Sequence, residues 1–297
     1  MNVTEVNFAG FPCLQLSHAK GLAIVSLYGG QLLSWVPVGQ RDVLWLSPQA
    51  LPAPAAIRGG VPVCWPWFGK QGMPQGAMQH GPVRNLMWQK VAYDLTDAGH
   101  PVLSMEPVPS GAALHTYAKD LRPRLEFELG ETLTMRLITQ NHGPSPFALT
   151  QALHTYFAVG NVQMAELRGV EGLQYASRVD GTQNNLQSGP FHLSALCDNT
   201  YAQTVATDSH QYQLLDHAWK RAITINTSGS NSLVVWNPGA EGAKNMLDVP
   251  DTGWADFLCV EAANAGHDTI VLAPGAQQVL QQTLGCTSLD SPTRASV

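Results

Sequence analysis

The stretch Leu125-Glu-Phe-Glu-Leu-Gly-Glu-Thr-Leu-Thr-Met-Arg-Leu137 alternates apolar and polar residues on both sides of a single glycine. Leu125, Phe127 and Leu129 alternate with Glu126 and Glu128; beyond Gly130, Leu133, Met135 and Leu137 alternate with Thr132, Thr134 and Arg136. Period two places every second side chain on one face, the mark of a strand with one buried side, and helical periodicity is hard to find anywhere in the chain. Ile223 and Ile225, alternating with Thr224 and Asn226, repeat the pattern far downstream. Turn signals fall between such runs: Gly29-Gly30, Leu129-Gly130, Asn141-His-Gly-Pro144, Asp180-Gly181 and Ser228-Gly-Ser230. Many short strands at this spacing predict an all-β fold, a large antiparallel β-sandwich with few short helices. Short helices are expected at residues 112–121 and 240–249. The chain is read as one domain, residues 1–297, with a frayed tail at about 287–297.

Composition narrows the function. The 297 residues carry 16 Lys+Arg against 22 Asp+Glu, a net charge of -6, and only 13% are charged. With a pI of about 5.9, the chain lacks the basic footprint that phosphate backbones require, so nucleic acid is excluded as a partner. No apolar run approaches the ~18 residues of a spanning helix. The start, Met1-Asn-Val-Thr-Glu5, has no basic segment leading into an apolar one. These features predict a cytoplasmic protein with no membrane partner, and a monomer. Cysteines 13, 64, 197, 259 and 286 are odd in number and widely spaced, which fits reduced thiols. The ten histidines contain no HxH or HExxH pair, so no metal is expected.

Glycine and proline crowd into residues 48–82, a stretch that with its flank also carries Arg58, Trp65, Trp67, Phe68, His80 and Arg84. A linker is poor in Trp and Phe, whereas long irregular segments inside a compact domain are usually functional. Arg58-Gly-Gly60 and Gln79-His-Gly-Pro-Val-Arg84 set two guanidinium groups beside glycines, an arrangement that suits close approach to a phosphate or carboxylate. Solvated surface charge is the alternative. Trp65-Pro-Trp67 and Trp236-Asn-Pro-Gly239 offer flat faces for sugars, or core aromatics.

Two strands carry groups able to move protons. Leu149–Gly160 is expected to place Leu153, Thr155 and Phe157 on one face and Ala152, His154 and Tyr156 on the other. Trp254–Asn264 is expected to place Phe257, Cys259 and Glu261 on one face and Leu258, Val260 and Ala262 on the other. A carboxylate among apolar residues needs a partner or a raised pKa. Glu261 is therefore either a catalytic group or a structural one, for example paired with Arg58.

Five ordered blocks, Arg58-Gly-Gly-Val-Pro-Val-Cys-Trp-Pro-Trp-Phe-Gly69, Gln79-His-Gly-Pro-Val-Arg-Asn-Leu-Met-Trp88, Leu153-His-Thr-Tyr-Phe157, Val235-Trp-Asn-Pro-Gly239 and Cys259-Val-Glu-Ala262, resemble the aldose 1-epimerase superfamily and, within it, the hexose-6-phosphate mutarotases. The resemblance runs from about Asn7 to Leu284. It implies a galactose mutarotase-like supersandwich that interconverts α and β anomers of hexose 6-phosphates, chiefly glucose 6-phosphate, with no cofactor. His154 matches the general acid and Glu261 the general base. Arg58, Gln79, His80 and Arg84 match substrate-binding positions, the arginines for the 6-phosphate. Where relatives commonly have an Asp-Lys pair that contacts substrate, this chain reads Tyr175-Ala-Ser-Arg-Val-Asp180, leaving Ser177 or a shifted Asp180 for that contact. A nearby carboxylate or the phosphate dianion is expected to raise the pKa of His154 and favour its acid form.

Competing readings are a phosphosugar-binding sandwich without catalysis and a mutarotase of an unphosphorylated aldose. Glycoside hydrolysis would need two carboxylates flanking the bond, and nothing in the sequence pairs Asp248, Asp251 or Asp256 with Glu261.

Overall fold

The hairpin read first forms the middle of an eight-stranded antiparallel sheet. Strands Leu121–Leu129 and Leu133–Asn141 pair with Leu125 opposite Leu137 and Phe127 opposite Met135, all four buried. From edge to edge this back sheet runs Ala165–Arg168, Ser209–Asp216, Arg221–Ser228, Gln277–Ser288, Leu133–Asn141, Leu121–Leu129, Pro101–Pro107 and Trp88–Leu95. The computed structural model describes residues 3–109, 112–203 and 207–290.

A second eight-stranded sheet carries the site. Its order is Asn185–Leu186, Gln174–Ser177, Cys197–Ala202, Ser232–Asn237, Phe257–Asn264, Gln151–Leu153 and Val63–Cys64, with Tyr156–Ala158 also paired to Phe257–Asn264. Its inner face presents Leu153, Phe157, Leu233, Val235, Leu258, Val260 and Ala262, which share one core with Phe127, Met135, Leu137, Ile223, Ile225 and Leu284 of the back sheet. A four-stranded sheet, Val3–Phe8, Phe11–His18, Gly21–Ser26 and Leu32–Pro37, packs Leu14, Leu16, Val25 and Trp35 into the same core. The small pair Phe147–Leu149 and Ile270–Leu272 completes the sheets among the described residues.

One polar bridge crosses the sandwich beneath the site. Gln282, 1% exposed on the back sheet, accepts a hydrogen bond from Thr155 Oγ1 and donates one to the Val260 carbonyl at 3.1 Å. Buried amides persist only when both ends are satisfied, so this bridge fixes how the two site strands sit over the back sheet.

Several expectations shift. The run 149–160 divides into Gln151–Leu153 and Tyr156–Ala158, because His154 N–H and Tyr156 N–H donate to the carbonyls of Pro62 and Gly60 in the irregular segment and not to a strand. The facing of its residues is as expected. Gly253–Asp256 is a 3₁₀ turn, and the strand begins at Phe257. The helices are shorter than expected, Ala112–Ala118 and Gly239–Ala243. Thr287 and Ser288 close the last strand instead of fraying; residues 291–297 of the expected tail lie outside the described residues. Among the described residues no helix is long and apolar enough to cross a membrane.

The Gly/Pro-rich segment is no linker. Ile57, Val61, Val63, Trp65 and Phe68 are all buried: Val63–Cys64 forms an edge strand of the site sheet, Val61, Val63 and Trp65 enter the core between the sheets, and Phe68 packs with Ala152, Val234 and Ala263 on the outer face. Gly81 shows how tightly: its φ is +72°, and a Cβ there would sit 1.8 Å from the Trp65 carbonyl oxygen. Gly81→Ala should therefore lower unfolding stability by about 2–4 kcal/mol, measured by urea denaturation; an unchanged midpoint would show that the loop can repack.

Candidate active site

Antiparallel register brings the two proton-moving groups together. Leu153 lies opposite Ala262 and Tyr156 opposite Cys259, so His154 and Glu261 fall opposite each other on the outer face. His154 Nε2 is 3.3 Å from Glu261 Oε1. His154 is 9% exposed and Glu261 1%. Neither carboxylate oxygen nor His154 Nδ1 completes a hydrogen bond among the described residues. An unsatisfied buried carboxylate is costly, and its presence signals a site kept for something other than stability.

Burial sets both titrations. It raises the Glu261 pKa well above the ordinary carboxylate value, helped by Asp198 and opposed by Arg178 and Arg84. It lowers that of His154 well below the ordinary imidazole value, reinforced by His80, Arg84 and Arg58. The expected rise in the histidine pKa is therefore reversed: desolvation, His80 and two arginines push it down. Both shifts favour the uncharged forms of the two groups.

Aromatic rings frame this pair. Tyr156 stacks on His154 with centroids 5.0 Å apart and planes 13° from parallel, and its hydroxyl accepts a hydrogen bond from Arg58 Nη1 at 2.8 Å. Arg58 Nε donates to Asp248 Oδ2 at 3.0 Å. Arg58 is therefore anchored by Asp248 and not by Glu261, which removes the structural reading of Glu261 as its partner. Half-buried Trp236 meets both His154 and Tyr156 edge-on, at 5.8 and 6.0 Å. Trp65 and Trp67 are core residues, bonded through their indole N–H to Thr139 and the Met78 carbonyl, so they offer no sugar platform.

His80 and the other arginines close the pocket. His80 adopts φ 66°, rare for a residue with a side chain, and its ring centroid is 6.0 Å from that of His154. Burial and the charges of Arg84, Arg178 and Arg58 push its pKa down to about 3. Its Nδ1 accepts from Gly69 N–H at 3.2 Å, which leaves Nε2 carrying the proton of the neutral ring. Arg84, in the short turn Val83–Asn85, has no carboxylate within 4.0 Å among the described residues, and its charge bears on His80, His154 and Glu261. Gln79 precedes His80 with an exposed side chain.

Two residues were not legible as site groups in the sequence. Asp198, on the outer face opposite Trp236, influences Glu261. Arg178 lies 4.0 Å from Asp198 and 5.3 Å from the Phe68 ring centre, and its charge bears on Glu261 and His80. Ser177 pairs with Asn199 on the same face as buried Tyr201, away from the pair, and Asp180 is exposed in a turn bonded to Thr182. The only prior signal for Asp198 was its alternation with Cys197 and Asn199.

The Aldose 1-epimerase family model matches residues 12–284. The chain belongs to the aldose 1-epimerase family. It is thereby an isomerase-class epimerase acting on carbohydrates. A protein of Escherichia coli (strain K12) named "Putative glucose-6-phosphate 1-epimerase" is 35% identical to this epimerase over 254 residues, 85% of this chain and 83% of that one. The crystal structure of a Salmonella typhimurium "putative mutarotase" superposes with a TM-score of 0.85 at 30% identity, covering 96% and 94% of the two chains. A galactose mutarotase-like protein from Clostridium acetobutylicum shares the fold at a TM-score of 0.74 and 12% identity, over 96% and 98%.

The raised Glu261 pKa carries a sign that can be tested. The folded state holds this proton above the unfolded carboxyl value near 4.5, so wild-type stability falls as pH rises through the window above that value. The stability difference between Glu261→Gln and wild type should accordingly move in favour of the variant between about pH 5 and about pH 8, followed by thermal or urea unfolding. A difference independent of pH would mean that Glu261 titrates normally.

Proposed function

We propose that this epimerase interconverts the α and β anomers of hexose 6-phosphates, chiefly glucose 6-phosphate, with Glu261 as base and His154 as acid. One observation carries the reading: an unsatisfied, cross-strand Glu261–His154 pair on the outer face of the sheet lies under the charge of Arg84, which has no carboxylate partner among the described residues. The name of the Escherichia coli relative is consistent with it. Ring opening needs a base for the C1 hydroxyl proton and an acid for ring oxygen O5 in the same step. Glu261 takes the hydroxyl proton, His154 delivers a proton to O5, and the C1–O5 bond breaks to give the aldehyde. Rotation about C1–C2 presents the other carbonyl face. O5 then attacks C1, its proton returns to His154, and Glu261 gives its proton to the new C1 hydroxyl.

The reactive form is carboxylate and imidazolium, whereas burial favours the neutral pair. These forms differ by one proton transfer across the 3.3 Å contact. Arg58 depresses His154 and is not among the charges acting on Glu261. A phosphate dianion seated at Arg58 and Arg84 offsets that bias, moving the shared proton toward His154. Nε2–H of His80 is placed to donate to a sugar hydroxyl, and the Trp236 face to cover the ring.

Two measurements test this. Exchange of glucose 6-phosphate anomers, followed by NMR, should fall by about 10²–10⁴-fold in Glu261→Gln while binding of the sugar phosphate persists. A binding module would have no exchange to lose. Arg84→Ala should reduce kcat/KM for glucose 6-phosphate at least about tenfold more than for glucose, as expected for losing a charged contact of about 1.5–3 kcal/mol. Arg58→Ala should harm both sugars, because Arg58 also holds Tyr156. Equal losses in Arg84→Ala would instead make that arginine a scaffold.

A further inference from the structure

Beyond Glu261, on the side away from Tyr156 and Arg58, the outer face of the site sheet continues as a shelf. Strand registers set Glu261 beside Val234, Val234 beside Thr200, and Thr200 beside Ala176. The next row runs Ala263, Ser232, Ala202 and Gln174. Neighbouring strands lie about 4.8 Å apart, so Thr200 stands about 10 Å from Glu261 on the same face. Small side chains leave room above this floor, and a cavity of about 480 Å³ occupies it, bordered by Gln174, Arg178, Asn184, Gly266 and His267. That volume suits a small-molecule site. Thr200 and Ala176, from the same row as Glu261, line this cavity, and Arg178, which also lines it, lies 4.0 Å from Asp198.

The lining indicates the ligand. Gln174, Gln183, Asn184 and Thr200 each offer both donors and acceptors, as sugar hydroxyls do. An anion would call for donors and unopposed positive charge, but the cavity's arginine already lies 4.0 Å from Asp198. Gln174, Gln183 and Asn184 are exposed, and none of their side-chain amides makes a hydrogen bond among the described residues, so all three are free to meet ligand hydroxyls.

We infer that this shelf is a second sugar subsite, and that the epimerase accepts a hexose 6-phosphate bearing a further pyranose unit. The inference rests on the seating proposed above. With the 6-phosphate at Arg58 and Arg84 and the C1–O5 bond over the pair, the C2–C3 edge of the ring points toward the shelf. The added unit is therefore linked through O2 or O3.

Sophorose and laminaribiose phosphorylated on C6 of the reducing unit are the probes. At least one should undergo anomer exchange with kcat/KM within about threefold of glucose 6-phosphate, since the second ring exchanges water for the cavity's amides at no steric cost. Ala176→Trp fills the floor and should cost the extended substrate about tenfold or more, while glucose 6-phosphate stays within about threefold. Gln174→Ala, which removes an amide from the cavity wall, should raise KM for the extended substrate about threefold to tenfold and leave glucose 6-phosphate unchanged. Both disaccharide phosphates falling more than about threefold below glucose 6-phosphate, or Gln174→Ala affecting both substrates equally, would overturn the subsite. Absence of glucose 6-phosphate exchange in wild type would instead overturn the function on which it rests.

Discussion

The register between residues 151–158 and the strand Phe257–Asn264 is the constraint from which the site follows. A slip of one strand by one residue would turn His154 and Glu261 to opposite faces and send that strand's core residue, Leu153 or Val260, to the outside. Hydrophobic alternation on the inner face therefore guards the alignment of polar groups on the outer one. Gln282 adds a polar pin at the point where the strand is interrupted. Core packing and the geometry of the Glu261–His154 pair are in this sense the same specification, written on two sides of one sheet.

Against that rigid face lies an irregular segment whose backbone would be unusual anywhere else. His80 and Gly81 both occupy the left-handed region, and the second cannot carry a side chain. Such strain is tolerated where the surroundings over-determine it, here through the buried Trp65 and Phe68 and the hydrogen bond from Gly69 N–H to His80. The same segment brings Arg58 within reach of Tyr156, so an arginine from one part of the chain holds the ring that stacks on the histidine of another.

Much of this was readable from sequence. Period-two alternation at Leu125–Leu137 and the facing of Phe257, Cys259 and Glu261 gave the sandwich and the orientation of the carboxylate, because burial on one face of a strand leaves a direct pattern. Arg58, His80, Arg84, His154 and Glu261 do converge, as the resemblance implied. Asp198 and Arg178 escaped notice because their importance lies in lateral neighbours, three strands joined only in space. Trp65 and Trp236 show the same limit. Each stands beside a proline or an Asn-Pro turn, yet one is in the core and the other at the pocket. The direction of the histidine titration was also out of reach, since it depends on how deeply three dimensions bury the ring.

The neutral resting state of the Glu261–His154 pair has a consequence for what arrives on top of it. A sugar ring that covers a formal charge must strip that charge of water, and the cost subtracts from affinity. A carboxyl group and an imidazole that both lean to their uncharged forms present donors and acceptors but no net charge to be dehydrated. Positive charge is confined to the arginines around them, where a ligand anion can meet it. The outer face of the sheet can thus be dry at this point without a buried formal charge.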